Sequence, residues 1–248
     1  RAHMDERPWA WPEGPAELEA LQRELAAAGD AAPPWEPVGT GAALTAGTLA
    51  ALDIAAVFAA FPRGEGGPGG AGQHVVAAAV RWRGGRVVER RTVQGLSGGP
   101  YVAGLLALRC GPLLEDAVAG LSRRPDLLLV DATGRDHPRR AGLALHLGAR
   151  LGLPSVGATN RVLAATFAEP GAEAGAAAPL LADGELVGHA VRTRSGARPV
   201  LAHAAWRTTP DQARDVVLAL SRRWRTPLPL RAARTLARTA RAGAEIRA

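Results

Sequence analysis

The chain has 248 residues, 47% of them apolar, enough to build a substantial core in one large domain or two small ones. Its formal net charge is +7, all of its basic residues are arginines, and Cys110 is its single cysteine. These facts exclude an internal disulfide and a multi-cysteine zinc knuckle. No apolar run reaches the ~18 residues that cross a membrane. The absence of lysine fits a GC-rich coding bias, but the excess of positive charge calls for a partner: phosphate, nucleic acid or an acidic protein. Arg1–Met4 has the look of a cloning remnant, so a single domain is expected over residues 5–248. With no signal peptide visible, a cytoplasmic protein with no membrane association is expected.

The first predicted element is a helix from Gly14 to Gly29. Leu18, Leu21, Leu25 and Ala28 lie on one stripe, and Gly29 suits a stop. A proline-rich connection follows from Asp30 to Ala42. The apolar run Gly47–Phe61, with Asp53 in its middle, is expected to be a strand because it is rich in Val, Ile and Phe and ends in glycines. After a glycine-rich turn comes a hairpin: Val75–Trp82, Gly84-Gly85, Arg86–Val93. Tyr101–Asp126 has helical periodicity, which Pro112 should kink or break. "DLLLVD" (Asp126–Asp131) is a buried strand. "RRAGLALHLGARLG" is an amphipathic helix, and "LPSVGAT" a short strand. "EPGAEAGAAAP" is an Ala/Gly/Pro loop. A second hairpin turns at Ser195-Gly196, and "PDQARDVVLALSRRW" is a helix with proline in its first turn. Strands and helices interleave, so the class is α/β with a mixed sheet.

Chemistry concentrates in "LLLVDATGRDHPRRAG". Asp131 ends an apolar strand, and ligand sites in open α/β sheets lie at such carboxyl ends. Asp53 interrupts another apolar run, where an unpaired carboxylate is costly. Two carboxylates on neighbouring strands would form a hard-oxygen pocket for Mg2+ or Mn2+. The plainer alternative has Asp131 capping the next turn and Asp53 paired with an arginine. His137 before Pro138 can simply pack a turn, and Arg139 and Arg140 can be the solvated first turn of a helix.

Several of these stretches, taken in order, resemble the endonuclease V family, which nicks DNA or RNA near deaminated purines such as inosine. "LDIAA" resembles the strand with the family's first metal-binding aspartate, which falls on Asp53. "GPYVAGLLALRCGPLLEDA" resembles the family's Pro-Tyr-Ile-Pro-Gly wedge and the helix after it. "RPDLLLVDATGRDHPRRAGLALHLG" resembles the block bearing the second aspartate and His-Pro-Arg-Arg, with His146 holding its spacing. The resemblance covers roughly Leu18 to Ala237. It implies a ribonuclease H-like fold, a central mixed five-stranded sheet flanked by helices. It also implies Asp131 as metal ligand, His137 beside the scissile phosphate, and Arg139 and Arg140 opening the helix behind the site. Tyr101, Ala132, Gly134, Asn160 and Arg139 would contact the substrate. Mg2+ or Mn2+ is the implied cofactor.

The departures from the family pattern lie at catalytic positions. The helix position of a metal-binding glutamate is Cys110, a poor ligand for Mg2+. The family's lysine falls on Asn160. Ala132 replaces a glycine, Ala103 replaces the wedge proline, and Ala205-Trp206-Arg207 stands for Gly-His-Arg. A remodelled protein is therefore expected, weak or inactive as a Mg2+-dependent nuclease, with Cys110→Glu restoring part of the activity. An alternative is an enzyme repurposed for specialised metabolism, needing no metal. It would act by acyl transfer or hydrolysis on a small molecule or an acidic carrier protein, through Cys110, His137, Asp131 and Asp53. A zinc site from Cys110, His137 and one aspartate is a third reading.

Overall fold

The structure is a computed structural model that describes residues 8–37, 44–62 and 69–245. Arg1–Met4, residues 38–43 of the proline-rich connection and most of the glycine-rich turn lie outside the described residues. Helix α1 (Pro15–Ala31) and the short α2 (Ala46–Ala50) precede strand β1 (Ile54–Ala60). The hairpin β2 (His74–Arg83) and β3 (Arg86–Leu96) follows, then α3 (Leu106–Ala119), β4 (Leu127–Val130), α4 (Leu143–Leu151) and β5 (Ser155–Thr159). Strands β6 (Ala177–Ala182), β7 (Glu185–Val191) and β8 (Val200–Ala204) lead to α5 (Pro210–Ser221) and α6 (Leu228–Glu245).

All eight strands form one mixed sheet in the order β3-β2-β1-β4-β5-β8-β7-β6. β1, β4 and β5 are parallel, and the other neighbours are antiparallel. The sheet is thus wider than the five strands expected, because the β7–β8 hairpin does not stand apart. β8 pairs with the edge of β5 and extends the ladder. β6 was hidden in the Ala/Gly/Pro stretch, whose composition suggests a loop. Small side chains suffice there because alternate residues face a minor core with Leu180, Val187 and Leu201.

Alternation along the central strands feeds two cores. Leu128 and Val130 face α1, α3 and α4, while Leu127 and Leu129 face α2, α5 and α6. β4 is buried on both faces, which is why it reads as an unbroken apolar run.

Three further expectations need correction. The run Gly47–Phe61 is not one strand: the Thr45 side chain accepts the Thr48 N–H and caps α2, and β1 starts only at Ile54. Pro112 does not break α3; its ring is exposed while Cys110, Leu114, Ala117 and Val118 anchor the helix in the core. Arg139 and Arg140 do not open α4. They lie in the preceding turn, where Arg140 has φ +56°, and α4 is buried along nearly its whole length instead of being amphipathic. Helix α6 was not expected at all. Among the described residues, no helix is long and apolar enough to cross a membrane.

Candidate active site at the carboxyl ends of the parallel strands

The parallel strands β1, β4 and β5 deliver their loops to one end of the sheet. The loop after β4 runs from Asp131 to Gly142, and the loop after β5 begins at Asn160. Between them and the Tyr101–Gly104 turn opens a cleft of about 410 Å³. Tyr101, Asp131, Ala132, His137, Thr159 and Asn160 are among its lining residues. Tyr101 is half exposed, at 50%, on the wall of this cleft.

Asp131 is held by the ladder, its N–H donating to the Val57 carbonyl at 3.3 Å. Its carboxylate accepts two bonds from the Arg234 guanidinium of α6, Nε to Oδ2 at 2.9 Å and Nη2 to Oδ1 at 3.0 Å. This is a bidentate fork, the strongest geometry open to an Arg–carboxylate pair. The guanidinium stands 5.8 Å from the centre of the Phe58 ring. Phe58, Cys110, Leu114 and Asp131 together line a small apolar recess beside the cleft.

Asp53 is not part of this site. β1 and β4 pair with Ile54 opposite Leu127 and Val57 opposite Val130, so Asp131 is level with Phe58. Asp53 lies about 16 Å away along the strand, five residues at ~3.3 Å each, which ends the two-aspartate metal pocket. The plainer alternative holds: its Oδ1 accepts from Arg81 at 2.6 Å and its Oδ2 from Arg83 at 2.7 Å. Burial pushes the Asp53 carboxyl up, but the two guanidinium groups outweigh it, and the group ends below its ordinary value.

Cys110 is buried, and its thiol donates to the Leu106 carbonyl within the helix. Burial pushes the thiol up to about 12, against a small opposing pull from Arg109. A thiol this protonated is not a nucleophile near neutral pH.

His137 has both ring nitrogens engaged. Its Nδ1 accepts the Arg139 N–H at 3.1 Å, which leaves Nε2–H to donate to the Gly104 carbonyl at 2.9 Å. Burial pulls it down to about 4, so the ring is neutral in the physiological range. The ring therefore clamps the Tyr101–Gly104 turn to the loop after β4. Gln22 of α1 completes the clamp, donating to the Gly104 carbonyl at 2.9 Å and accepting from Arg139 Nε at 2.6 Å. Gly104 has φ +84°, and a Cβ there would lie 3.3 Å from His137 Nε2, so the turn requires glycine.

The other expected contacts divide. Ala132 and Asn160 line the cleft, Asn160 on its exposed side. Gly134 does not line it: a Cβ there would collide with the Ala204 carbonyl, so this glycine serves close packing against β8. Arg139 turns to Gln22 and Glu19, and Arg140 to Asp183 and Glu185. Sequence reasoning missed Phe58, Arg234 and Gln22. It also missed Asp136, which accepts the N–H groups of Leu163, Ala164 and Ala165 and so fixes the cleft wall after β5.

The fit of a divalent metal follows from these partners. Asp131 is the one carboxylate in the recess; its fork is filled by Arg234, and Phe58 and Cys110 offer no hard oxygen. Among the described residues, no group of three His, Cys, Asp or Glu side chains is arranged to hold a metal. The residues present do not fit Mg2+ or Mn2+, and the same pairing removes the zinc reading.

The family model for endonuclease V matches residues 51–235. The endonuclease V of Geotalea uraniireducens is 42% identical over 165 residues, 66% of this chain and 70% of that protein. The endonuclease V of Nocardia farcinica is 46% identical over 141 residues, 57% of this chain and 62% of that one, so the match leaves more than a third of that relative's length uncovered. The crystal structure of Streptomyces avermitilis endonuclease V aligns at a TM-score of 0.79 and 34% identity, covering 96% of this chain and 98% of that one. The chain belongs to the endonuclease V family.

Proposed function

We propose that this protein binds deaminated DNA or RNA in the cleft between Tyr101 and Asn160, and that its Mg2+-dependent cleavage is weak or absent. The carrying observation is the register that sets Phe58, not a carboxylate, level with Asp131, with Cys110 completing an apolar recess. The family's chemistry needs dense charge around the reacting oxygens. Here the cleft that would take a base is kept, and the shell that would take a metal is gone. The +7 charge suits a polyanionic ligand. The strand order β3-β2-β1-β4-β5 supports reading the core as ribonuclease H-like, and one continuous sheet supports a single domain over 5–248. No observation favours the acyl-transfer alternative, because Cys110 is protonated and His137 is occupied at both nitrogens.

The test pairs binding with turnover. Fluorescence anisotropy with inosine-containing and adenosine-containing single strands should show salt-dependent binding, tighter for inosine. The same strands incubated with excess Mg2+ should stay intact at catalytic protein concentrations. Rapid multiple-turnover cleavage would overturn the proposal.

A further inference from the structure

Helix α6 carries Arg231, Arg234, Arg238 and Arg241 at intervals of three, four and three, one face of a helix. Arg231 stacks on Trp224, while the other three reach the carboxyl end of β1. Arg241 donates to the Phe61 carbonyl, Arg234 forks onto Asp131, and the Arg238 guanidinium stands 5.3 Å from the Phe58 ring centre. Two guanidinium groups thus flank the ring that is level with Asp131. A single carboxylate cannot neutralise both. The local field is positive without any bound ion, and it repels a second cation while attracting an anion.

We infer that Arg234 and Arg238 form a resident cationic site in place of a divalent metal, one that takes a backbone phosphate of the nucleic-acid ligand. Arg234 is the fixed member, since its fork is committed to Asp131, with a longer contact from Nη1 to Thr226 Oγ1 at 3.4 Å. Arg238 is exposed and supplies the contact to phosphate. Both guanidinium groups lie within cation–π reach of the Phe58 ring. Metal and arginine differ in consequence. A guanidinium cannot dissociate, cannot be chelated and cannot deprotonate a water, so the site binds without requiring an added ion. The phosphate arm rests on the reading of the cleft given above; the cation arm does not.

Two measurements separate these arms. In the first, Mn2+ alone is titrated into the wild type, Asp131→Asn, and the double variant Phe58→Asp/Arg234→Met, following thermal midpoint and the free Mn2+ EPR signal. The wild type should show no saturable binding. The double variant, with two carboxylates and Arg238 as the remaining guanidinium of the pair, should bind Mn2+ and rise by roughly 3 °C at tenfold saturation. Saturable Mn2+ binding by the wild type that Asp131→Asn abolishes would overturn the cation arm, whether or not the double variant folds.

In the second, oligonucleotide affinity is measured in EDTA and in Mg2+ at matched ionic strength. The two values should agree within about twofold, and Arg238→Ala should weaken inosine- and adenosine-containing strands alike, by about three- to tenfold, with a shallower salt dependence. An unchanged affinity in Arg238→Ala overturns the phosphate contact. If no strand binds the wild type, the nucleic-acid reading fails, and the Mn2+ result alone decides the resident cation.

Discussion

At each end of the β1–β4 pair a carboxylate is held by arginine, Asp53 at one end and Asp131 at the other. At the amino end, Asp53 is enclosed: Arg81 and Arg83 take its oxygens, Arg81 also pairs with Glu89, and Asp126 accepts the Asp53 N–H. At the carboxyl end, Asp131 has one partner, Arg234, and a cleft on its other side. The same pairing chemistry therefore does two jobs. A network that occupies both oxygens of Asp53 stitches the sheet to its hairpin. A single fork beside a cavity shapes a place where a ligand can enter. What separates the two acids is the space next to each, not the acid or its counter-ion.

The largest effect should come from the enclosed end. Asp53→Ala leaves two guanidinium groups facing a pocket built for a carboxylate. Arg83 is 46% exposed and can rehydrate, but Arg81 is 14% exposed and loses part of its compensation. A stability loss of about 3 kcal/mol is expected, at the low end for a broken buried pair. Asp131→Asn should lose only ~1 kcal/mol, since its side chain is 17% exposed against 8% for Asp53 and the amide still offers an acceptor to Arg234. Urea midpoints of the two variants decide this; equal losses would erase the contrast between the two ends. Asp53→Ala should also leave oligonucleotide affinity unchanged.

Acidification tests the clamp next to the open end. His137 stands at about 4 when folded, against an ordinary value near 6.5. Between those values the unfolded chain binds a proton that the folded chain refuses. Stability contributed by the neutral ring is therefore complete above pH ~6.5 and is lost as pH falls toward ~4, by up to roughly 3 kcal/mol. Buried His146 and His203 are pulled down to about 4 as well and add to the slope. His137→Asn should flatten the pH–stability curve over this window. A slope as steep as that of the wild type would mean that His137 is not the neutral clamp described.

How much of this contrast the sequence reveals differs by region. The β4 run and its Asp131 are plain, because a strand buried on both faces admits no polar residue until it ends. The cleft residues Tyr101, Ala132 and Asn160 follow from motif order. Asp53 misleads for an instructive reason. It is the one charge in "LDIAAVFAAF", and a lone acid in an apolar run attracts a functional reading. Only the parallel register, Ile54 opposite Leu127, tells that Phe58 is the residue level with Asp131. Pairing register is a property of two distant segments and is not written in either one. Arg234 was missed because the C-terminal stretch looks merely basic. Its three-four-three arginine spacing was a visible helical signal that composition concealed.

Tyr101→Ala sharpens the comparison on the ligand side. The ring is half exposed, so its removal should shift stability by less than ~0.5 kcal/mol. If it stacks on a base, affinity for single strands should fall about tenfold, in keeping with ~1–3 kcal/mol per stacked base. Anisotropy titrations with unchanged affinity would move the base elsewhere and leave the cleft without its aromatic contact.

The smallest expected effect is at Cys110, and it bears on whether the recess can be turned back into a metal site by one substitution. With its thiol pushed up to about 12 and bonded within its own helix, Cys110 should resist iodoacetamide near neutral pH and react only after unfolding in urea. Cys110→Glu should not restore Mg2+-dependent cleavage, contrary to the expectation from motif comparison alone. The new carboxylate would enter a recess floored by Phe58 and Leu114, where its own charge is disfavoured, while Arg234 still fills the fork of Asp131. The nearest cation to the introduced glutamate is thus a guanidinium, not a metal. An oligonucleotide nicking assay in Mg2+ should read the same for Cys110→Glu as for the wild type. A clear gain would show that one carboxylate outcompetes the arginine fork, and that Arg234 yields the site when a second hard ligand arrives.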